Sequence, residues 1–127
     1  MRIVDRKTFL AMPENTVFSK YKPCYFDHVA IKEESITFPH NPISAGDFRY
    51  QSIEDSMADW KTSEDLFEMW DQMETQGKSF PMEFDTSDRD GMFDKDQLFA
   101  VWEKQDVQRL IDRLQKCLDP KSEGVSE

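Results

Sequence analysis

The sequence predicts an α+β fold, in which a small antiparallel β-sheet carries two main helices packed on one face. The first half of the chain contains short segments of alternating apolar and polar residues, separated by Pro and Gly, as is typical of strands. The second half changes to apolar spacings of three and four residues, as is typical of helices that cover a core. We therefore expect one globular domain over residues 1–118 and a flexible C-terminal tail over residues 119–127.

The first half is expected to contain one short helix followed by strands. Asp5 is suited to cap the helix, and Pro13 to end it. A tight turn is predicted at Glu33-Glu34, between two strand segments. The predicted strands cover residues 16–21, 25–31, 35–38 and 47–51.

Two helices are predicted in the middle of the chain. Ser52 and Asp55 have the spacing of a capping box, as do Thr62 and Asp65, and Gly77 is suited to end the second helix. The apolar face of the first helix is expected to comprise Ile53, Met57 and Trp60. The apolar face of the second helix is expected to comprise Leu66, Phe67, Met69, Trp70 and Met73.

The remaining elements are predicted from shorter patterns. Residues 80–84 resemble an edge strand because Pro81 interrupts them, and residues 85–91 are expected to form a loop. The apolar run over residues 97–102 predicts a buried strand, although a helix fits it too. A final helix begins near Asp106 and is predicted from its apolar repeat, Val107, Leu110, Ile111, Leu114 and Leu118.

The net charge of −10 is confined to one part of the sequence. Residues 51–103 contain 4 Lys/Arg and 15 Asp/Glu, whereas residues 1–50 contain 7 and 6. A field of this sign disfavours nucleic acid and anionic membranes and favours a basic partner or a cation. The candidate partner-binding residues are Glu64, Asp65, Glu68, Asp71, Asp85, Asp88, Asp90, Asp94 and Asp96.

A calcium loop is the second interpretation of the acidic residues. Asp88, Asp90 and Asp94 fall at positions 3, 5 and 9 of an EF-hand loop, but position 1 is Thr86 and position 12 is Gln97. These three carboxylates are therefore weak metal candidates, and the alternative is a solvated turn. No metal or cofactor is assigned.

Other kinds of site have little support in the sequence. His28 and His40 lack neighbours at ligand spacing, and Cys24 and Cys117 are expected to be free thiols with packing roles. No phosphate-binding glycine motif exists. A small-ligand or nucleotide pocket in the sheet half remains an alternative, because that half supplies positive charge from Lys20, Lys22, Lys32 and Arg49.

Three stretches of the sequence carry a resemblance to a class of viral proteins. They are residues 9–18, residues 89–94 and residues 97–103. Together they resemble short accessory proteins of tailed bacteriophages. The resemblance implies a protein that binds host proteins, including components of host defence, and it transfers no functional residue.

The favoured hypothesis is a non-enzymatic protein of phage type that engages and inhibits a basic host protein through its acidic surface. Two alternatives stay open, a binder of small ligands or nucleotide signals and an enzyme that depends on divalent cations. The N-terminal residues lack an apolar segment, so we expect a cytoplasmic protein, in the host cytoplasm if a phage encodes it. Neither membrane nor nucleic acid is an expected partner, and a homo-oligomer is left open.

Overall fold

A computed structural model describes residues 1–38, 46–53 and 57–119. Its centre is a six-stranded sheet in the order β1-β6-β2-β3-β4-β5, in which every neighbouring pair of strands is antiparallel. The predicted α+β class is confirmed. The strands are β1 (Arg2–Val4), β2 (Val17–Lys22), β3 (Tyr25–Ile36), β4 (Asp47–Ser52), β5 (Thr86–Arg89) and β6 (Leu98–Val101). The helices are α1 (Arg6–Leu10), α2 (Ser63–Gln76) and α3 (Lys104–Leu118).

Helix α1 is short, and its main contribution is Phe9. The Asp5 side chain accepts a hydrogen bond from the Thr8 N–H at 2.8 Å and caps the helix, as the sequence predicts. Phe9 stacks on Phe99 of β6 with ring centroids 4.1 Å apart, and it contacts Phe18 of β2 at 4.6 Å. The core is therefore a cluster of aromatic rings between α1 and one face of the sheet.

Strand β3 is longer than the sequence predicts. The expected turn at Glu33-Glu34 is wrong, since both residues lie within β3. The pairing with β4 shifts its register between Lys32 and Ser35, which is the signature of a bulge. Ser35 also donates a hydrogen bond to the Leu10 carbonyl at 2.6 Å. The two glutamates therefore bend a continuous strand rather than ending it.

The segment between β4 and α2 differs from the prediction. Ser52 belongs to β4 rather than capping a helix, and residues 57–60 form no helix. Asp55 lies outside the described residues. Met57 instead forms an isolated bridge with Met82, and the Ala58 N–H bonds the Pro81 carbonyl at 3.0 Å. Residues 57–58 and 81–82 therefore satisfy backbone groups by pairing with each other rather than within a helix.

The predicted edge strand over residues 80–84 and the predicted loop over residues 85–91 are also wrong. Residues 80–84 contribute only the single bridge at Met82, and the predicted loop over residues 85–91 contains β5. Polar residues form this strand because Thr86 and Asp88 pair with Ser52 and Tyr50 of β4, and the opposite side of β5 is a sheet edge. Pairing with an existing strand overrides the weak strand propensity of its residues.

Strand β6 and helix α3 follow the predicted order. Phe99, Ala100 and Val101 are buried in β6, between β1 and β2. Helix α3 has a clear apolar repeat but contains no buried residue, and Ile111, Leu114 and Leu118 are exposed. No helix among the described residues is long and apolar enough to cross a membrane.

Candidate functional site

The carboxylate of Asp90 is buried, although the sequence suggested a surface role for it. Its side chain is 1% exposed and lies 3.3 Å from the Arg6 guanidinium. The Lys20 ammonium forms a second ion pair with the same carboxylate. A carboxylate enclosed by two cations has no free face for a protein partner or a metal ion. Asp90 is therefore a structural residue.

Asp47 is a second buried carboxylate beside Asp90. Its side chain is fully buried, it pairs with Arg89, and it accepts a hydrogen bond from the Gly91 N–H at 3.0 Å. Burial alone would raise the pKa of Asp47, but the hydrogen bonds from Arg89 and from backbone N–H groups lower it below its usual range. Asp47 is therefore held ionised in the folded protein.

Arg6 joins the two carboxylates into one network. Its guanidinium lies 3.7 Å from Asp47 and donates a hydrogen bond to the Gly46 carbonyl at 3.0 Å. Arg89 lies on the solvent side of the network. Its guanidinium is 5.5 Å from the centre of the Phe38 ring and 5.7 Å from the centre of the Phe93 ring. This network ties the start of β4 to the residues that follow β5.

The other acidic residues of the 85–96 segment are exposed but spread out. Asp88 lies on β5, and the Asp94 side chain accepts a hydrogen bond from the Asp96 N–H at 3.0 Å. Asp85 is hydrogen-bonded to Glu83, which raises the pKa of Glu83. No group of three or more His, Cys, Asp or Glu side chains among the described residues converges as a metal site.

Strand β5 divides the acidic residues of this segment into two groups. Thr86, at the start of β5, pairs with Ser52, whereas Arg89, at the end of β5, pairs with Arg49. Asp85 precedes the strand, and Asp94 and Asp96 follow its far end. The acids before β5 and those after it therefore adjoin opposite ends of the strand.

Helix α2 presents a row of exposed carboxylates. Glu64, Glu68 and Asp71 are exposed and occupy positions i, i+4 and i+7, so that they lie one above another on the helix. Asp65 differs from them because its side chain accepts the backbone N–H groups of Lys61 and Thr62. Asp65 completes the predicted capping box, and its carboxylate is committed to the helix end.

Two aromatic side chains lie beside this acidic row. Phe67 is 63% exposed and Trp70 is 44% exposed, with ring centroids 5.7 Å apart. The sequence placed both on the apolar face of α2, but only Met69 is buried there. Phe67 lies one turn from Glu64 and one turn from Asp71, so it belongs to the acidic side of the helix. We call the set Glu64, Phe67, Glu68, Trp70, Asp71 and Glu74 the α2 surface.

The α2 surface is held on a well-defined helix. The Thr62 side chain accepts the Asp65 N–H at 3.2 Å, and Gly77 ends the helix with a φ of 66°, which favours glycine. Both ends are thus satisfied by groups of α2 itself and its flanking residues. The helix does not depend on a partner to complete its caps.

The basic residues of the sheet half do not converge on one pocket. The Lys22 ammonium donates to the Gln97 side chain at 2.7 Å, and Arg49 donates to Ser87 at 3.1 Å. Lys32 is buried, burial lowers its pKa, and its ammonium donates to the Glu33 carbonyl at 3.0 Å. Lys20 pairs with Asp90, as described above. Each of the four cations therefore has its own partner.

The sheet half nevertheless contains a cavity of about 480 Å³ between the sheet and α3. Most of its wall is apolar, from residues such as Phe26, Val29, Trp102 and Leu110, and the charged residues Asp27, Asp106 and Arg109 also line it. An apolar lining of this kind accepts hydrocarbon or aromatic groups rather than phosphates. We call this cavity the α3 groove.

The histidine and cysteine candidates in the described part of the chain lie on different elements. Cys24 and Cys117 are free and exposed, and Cys24 lies in the turn between β2 and β3 with a φ of 74°. His28 is exposed on β3, where its ring lies 3.7 Å from Asp27. His40 falls outside the described residues. These side chains do not form a nucleophile–base pair with one another in the described part of the chain.

Comparisons of the chain with protein-family models, with curated proteins and with solved structures give no significant match. The functional argument therefore depends on the surfaces of the molecule. Sequence patterns missed Arg6 and Asp47, and they placed Phe67 on the core-facing side of α2, where the structure leaves it exposed. The sequence distance between Arg6 and Asp90, 84 residues, explains the first miss.

Proposed function

We propose that this is a non-enzymatic binding protein of phage type, which engages a basic host protein through the α2 surface and inhibits it. The observation that carries the proposal is the exposed Phe67–Trp70 pair beside a row of exposed carboxylates. Large aromatic side chains left in water on a soluble helix cost free energy, and such exposure commonly marks an interaction site.

The two parts of the α2 surface serve different purposes in binding. Phe67 and Trp70 supply apolar area, and aromatic residues of this kind carry much of the energy of protein interfaces. Glu64, Glu68 and Asp71 raise the rate of encounter with a basic surface and disfavour acidic partners. A partner with an apolar groove bordered by Lys or Arg fits both parts.

The geometry of α2 supports docking as an intact helix. Its caps are complete at Thr62 and at Gly77 before any partner binds. A helix that is already formed loses less conformational entropy on binding than a segment that must fold, so more of the contact energy appears as affinity. An amphipathic helix laid into a groove is a common mode of recognition.

The host protein is inhibited when α2 occupies a groove that the host protein needs for its own activity. Helix α2 contains five Asp and Glu residues and no Lys or Arg, so its field resembles that of a phosphate array. A nucleic-acid-binding component of host defence would offer a basic groove of this kind. We therefore propose competition with nucleic acid as the mode of inhibition.

Photo-crosslinking from α2 identifies the partner. Phe67 is replaced with p-benzoylphenylalanine, the chain is irradiated in host lysate, and the crosslinked protein is identified and purified. Its affinity is then measured with the wild-type chain and with the variant Glu64→Lys, Glu68→Lys, Asp71→Lys. We expect the dissociation constant of this variant to rise by about tenfold or more, with a weaker dependence on salt.

A matched variant separates the α2 surface from overall charge. The triple change Asp85→Lys, Asp88→Lys, Asp96→Lys alters the net charge by the same amount on exposed residues outside α2. We expect it to weaken binding much less than the α2 triple change. Equal losses from both variants would contradict a local docking surface and indicate that the overall negative charge drives binding.

A further inference from the structure

We infer that in the absence of its partner the protein forms a dimer, in which α2 of each copy docks on α3 and the α3 groove of the other. The inference rests on the proposed function in one respect, the use of α2 as a docking helix. It goes further in assigning a role to α3, which the proposed function does not use.

Helix α3 carries the complement of the α2 surface. Arg109 and Arg113 form one row at i and i+4, and Leu110 and Leu114 form a neighbouring row at the same spacing. Leu114 is 55% exposed, and α3 contains no buried residue. A basic row beside an apolar row therefore faces solvent.

The charges of the two helices are opposite. Helix α2 contains five Asp and Glu residues and no Lys or Arg. Helix α3 contains four Lys and Arg residues and two Asp residues. Attraction between them favours α2 of one copy against α3 of the other, whereas two α2 helices or two α3 helices would repel.

The α3 groove has the shape and chemistry for the aromatic pair. Its lining includes the apolar residues Phe26, Val29, Trp102 and Leu110 and the charged residues Asp27, Asp106 and Arg109. The Asp106 carboxylate is paired with the amino group of Met1. Phe67 and Trp70 would place aromatic rings against these walls while Glu64 and Asp71 approach Arg109 and Arg113. The helices also match in length, at 14 and 15 residues.

The topology favours contact between copies rather than within one chain. Helix α2 lies between β4 and β5, at one edge of the sheet, and α3 follows β6, next to the opposite edge strand β1. The exposure of Phe67, Trp70 and Leu114 agrees with this separation. Two reciprocal contacts of α2 with α3 make a closed, two-fold symmetric dimer.

A charge-swap experiment tests the dimer. The first variant is Glu64→Lys, Asp71→Lys, and the second is Arg109→Glu, Arg113→Glu. In each variant alone, residues 64 and 71 of α2 carry the same sign of charge as residues 109 and 113 of α3, so we expect each alone to be monomeric, with the dissociation constant of the dimer raised by about tenfold or more. Mixed together they restore attraction at both contacts, and we expect a heterodimer by native mass spectrometry and sedimentation.

The control is Lys7→Glu, Lys95→Glu, which changes the charge by the same amount as the α3 variant on exposed residues outside both helices. It should dimerise like the wild type. A wild-type chain that sediments as a monomer at its highest soluble concentration overturns the inference. The inference is also overturned if the mixture of the two variants forms no heterodimer. It is overturned as well if the wild-type chain is a monomer that binds the apolar probe N-phenyl-1-naphthylamine in the α3 groove.

The α3 variant also separates this inference from the proposed function. It retains every residue of the α2 surface, so it should bind the crosslinked host protein at least as tightly as the wild type. Loss of the dimer with retained host binding is the expected result. Host binding that depends on α2, in a wild-type chain that never dimerises, overturns the inference and leaves the proposed function standing.

Discussion

The rings of Phe67 and Trp70 lie 5.7 Å apart on α2, and neither ring is buried. Phe67 is one helical turn from Glu64 and from Asp71, and Trp70 is one turn from Glu74. This neighbourhood of aromatic and acidic side chains distinguishes α2 from a helix that merely covers a core. Because these side chains are exposed, they contribute little to the core and are available for binding.

Asp88 and Asp90 provide a matched pair for the buried network. Asp90→Asn removes the charge that pairs with Arg6 and Lys20, and we expect it to lower the free energy of unfolding by about 3 kcal/mol. Asp88→Asn, two residues away and exposed, should change it by less than about 0.5 kcal/mol. Urea denaturation of both variants measures the difference. Similar values for the two would show that Asp90 is not held in a buried ion pair.

Phe9 and Phe67 give a second matched pair. Phe9→Ala opens a cavity in the aromatic core and should cost about 3–5 kcal/mol of unfolding free energy. Phe67→Ala removes a ring that is exposed in the monomer, so it should leave the melting temperature nearly unchanged when it is made and compared in the Arg109→Glu, Arg113→Glu background, which prevents dimer formation. Thermal unfolding followed by circular dichroism distinguishes them, and a large loss on Phe67→Ala would mean that this ring packs into the fold.

The lowered pKa of Asp47 predicts acid sensitivity. A carboxylate whose pKa is lower in the folded state stabilises the fold above its unfolded pKa, and that contribution is lost as the pH falls below about 3.8 towards the folded pKa. Asp47→Asn should be less stable at neutral pH, and its stability should decline less on acidification. Urea titrations over this pH range measure the unfolding free energy of both proteins. If Asp47 were not responsible for the acid sensitivity, the two free energies would fall in parallel as the pH is lowered.

Lys32 predicts a second rise of stability with pH, in the alkaline range. Burial lowers its pKa, so the unfolded chain binds more protons between the lowered pKa and 10.5, and stability rises with pH in that range. Lys32→Met keeps the apolar stem beside Phe9 and removes the titrating group. The difference in unfolding free energy between variant and wild type should shrink as the pH approaches 10.5, and a constant difference would contradict this.

The sequence was sufficient where the deciding interactions are local. Thr62, Asp65 and Gly77 were correctly assigned to the ends of α2, because a cap depends on residues within one turn. The same holds for Asp5 at the start of α1. The α+β class followed from the change of apolar spacing between the two halves of the chain.

The sequence was insufficient where the deciding partner is distant. Asp90 looked like its exposed neighbours because nothing near it indicates the pairing with Arg6. The polar strand β5 forms only because β4 offers it a partner. A helical wheel groups Phe67 with Met69, but it contains no information about which arc of the helix meets the rest of the protein.

The double variant Phe67→Ala, Trp70→Ala tests the central claim most directly, through its affinity for the crosslinked host protein. Its control is Phe84→Ala, which removes an exposed ring outside α2. The account predicts a loss of at least about 2 kcal/mol for the double variant, roughly thirtyfold in the dissociation constant, and little change for the control. A double variant that binds as tightly as the wild type, with its fold intact, would contradict the assignment of α2 as the docking helix.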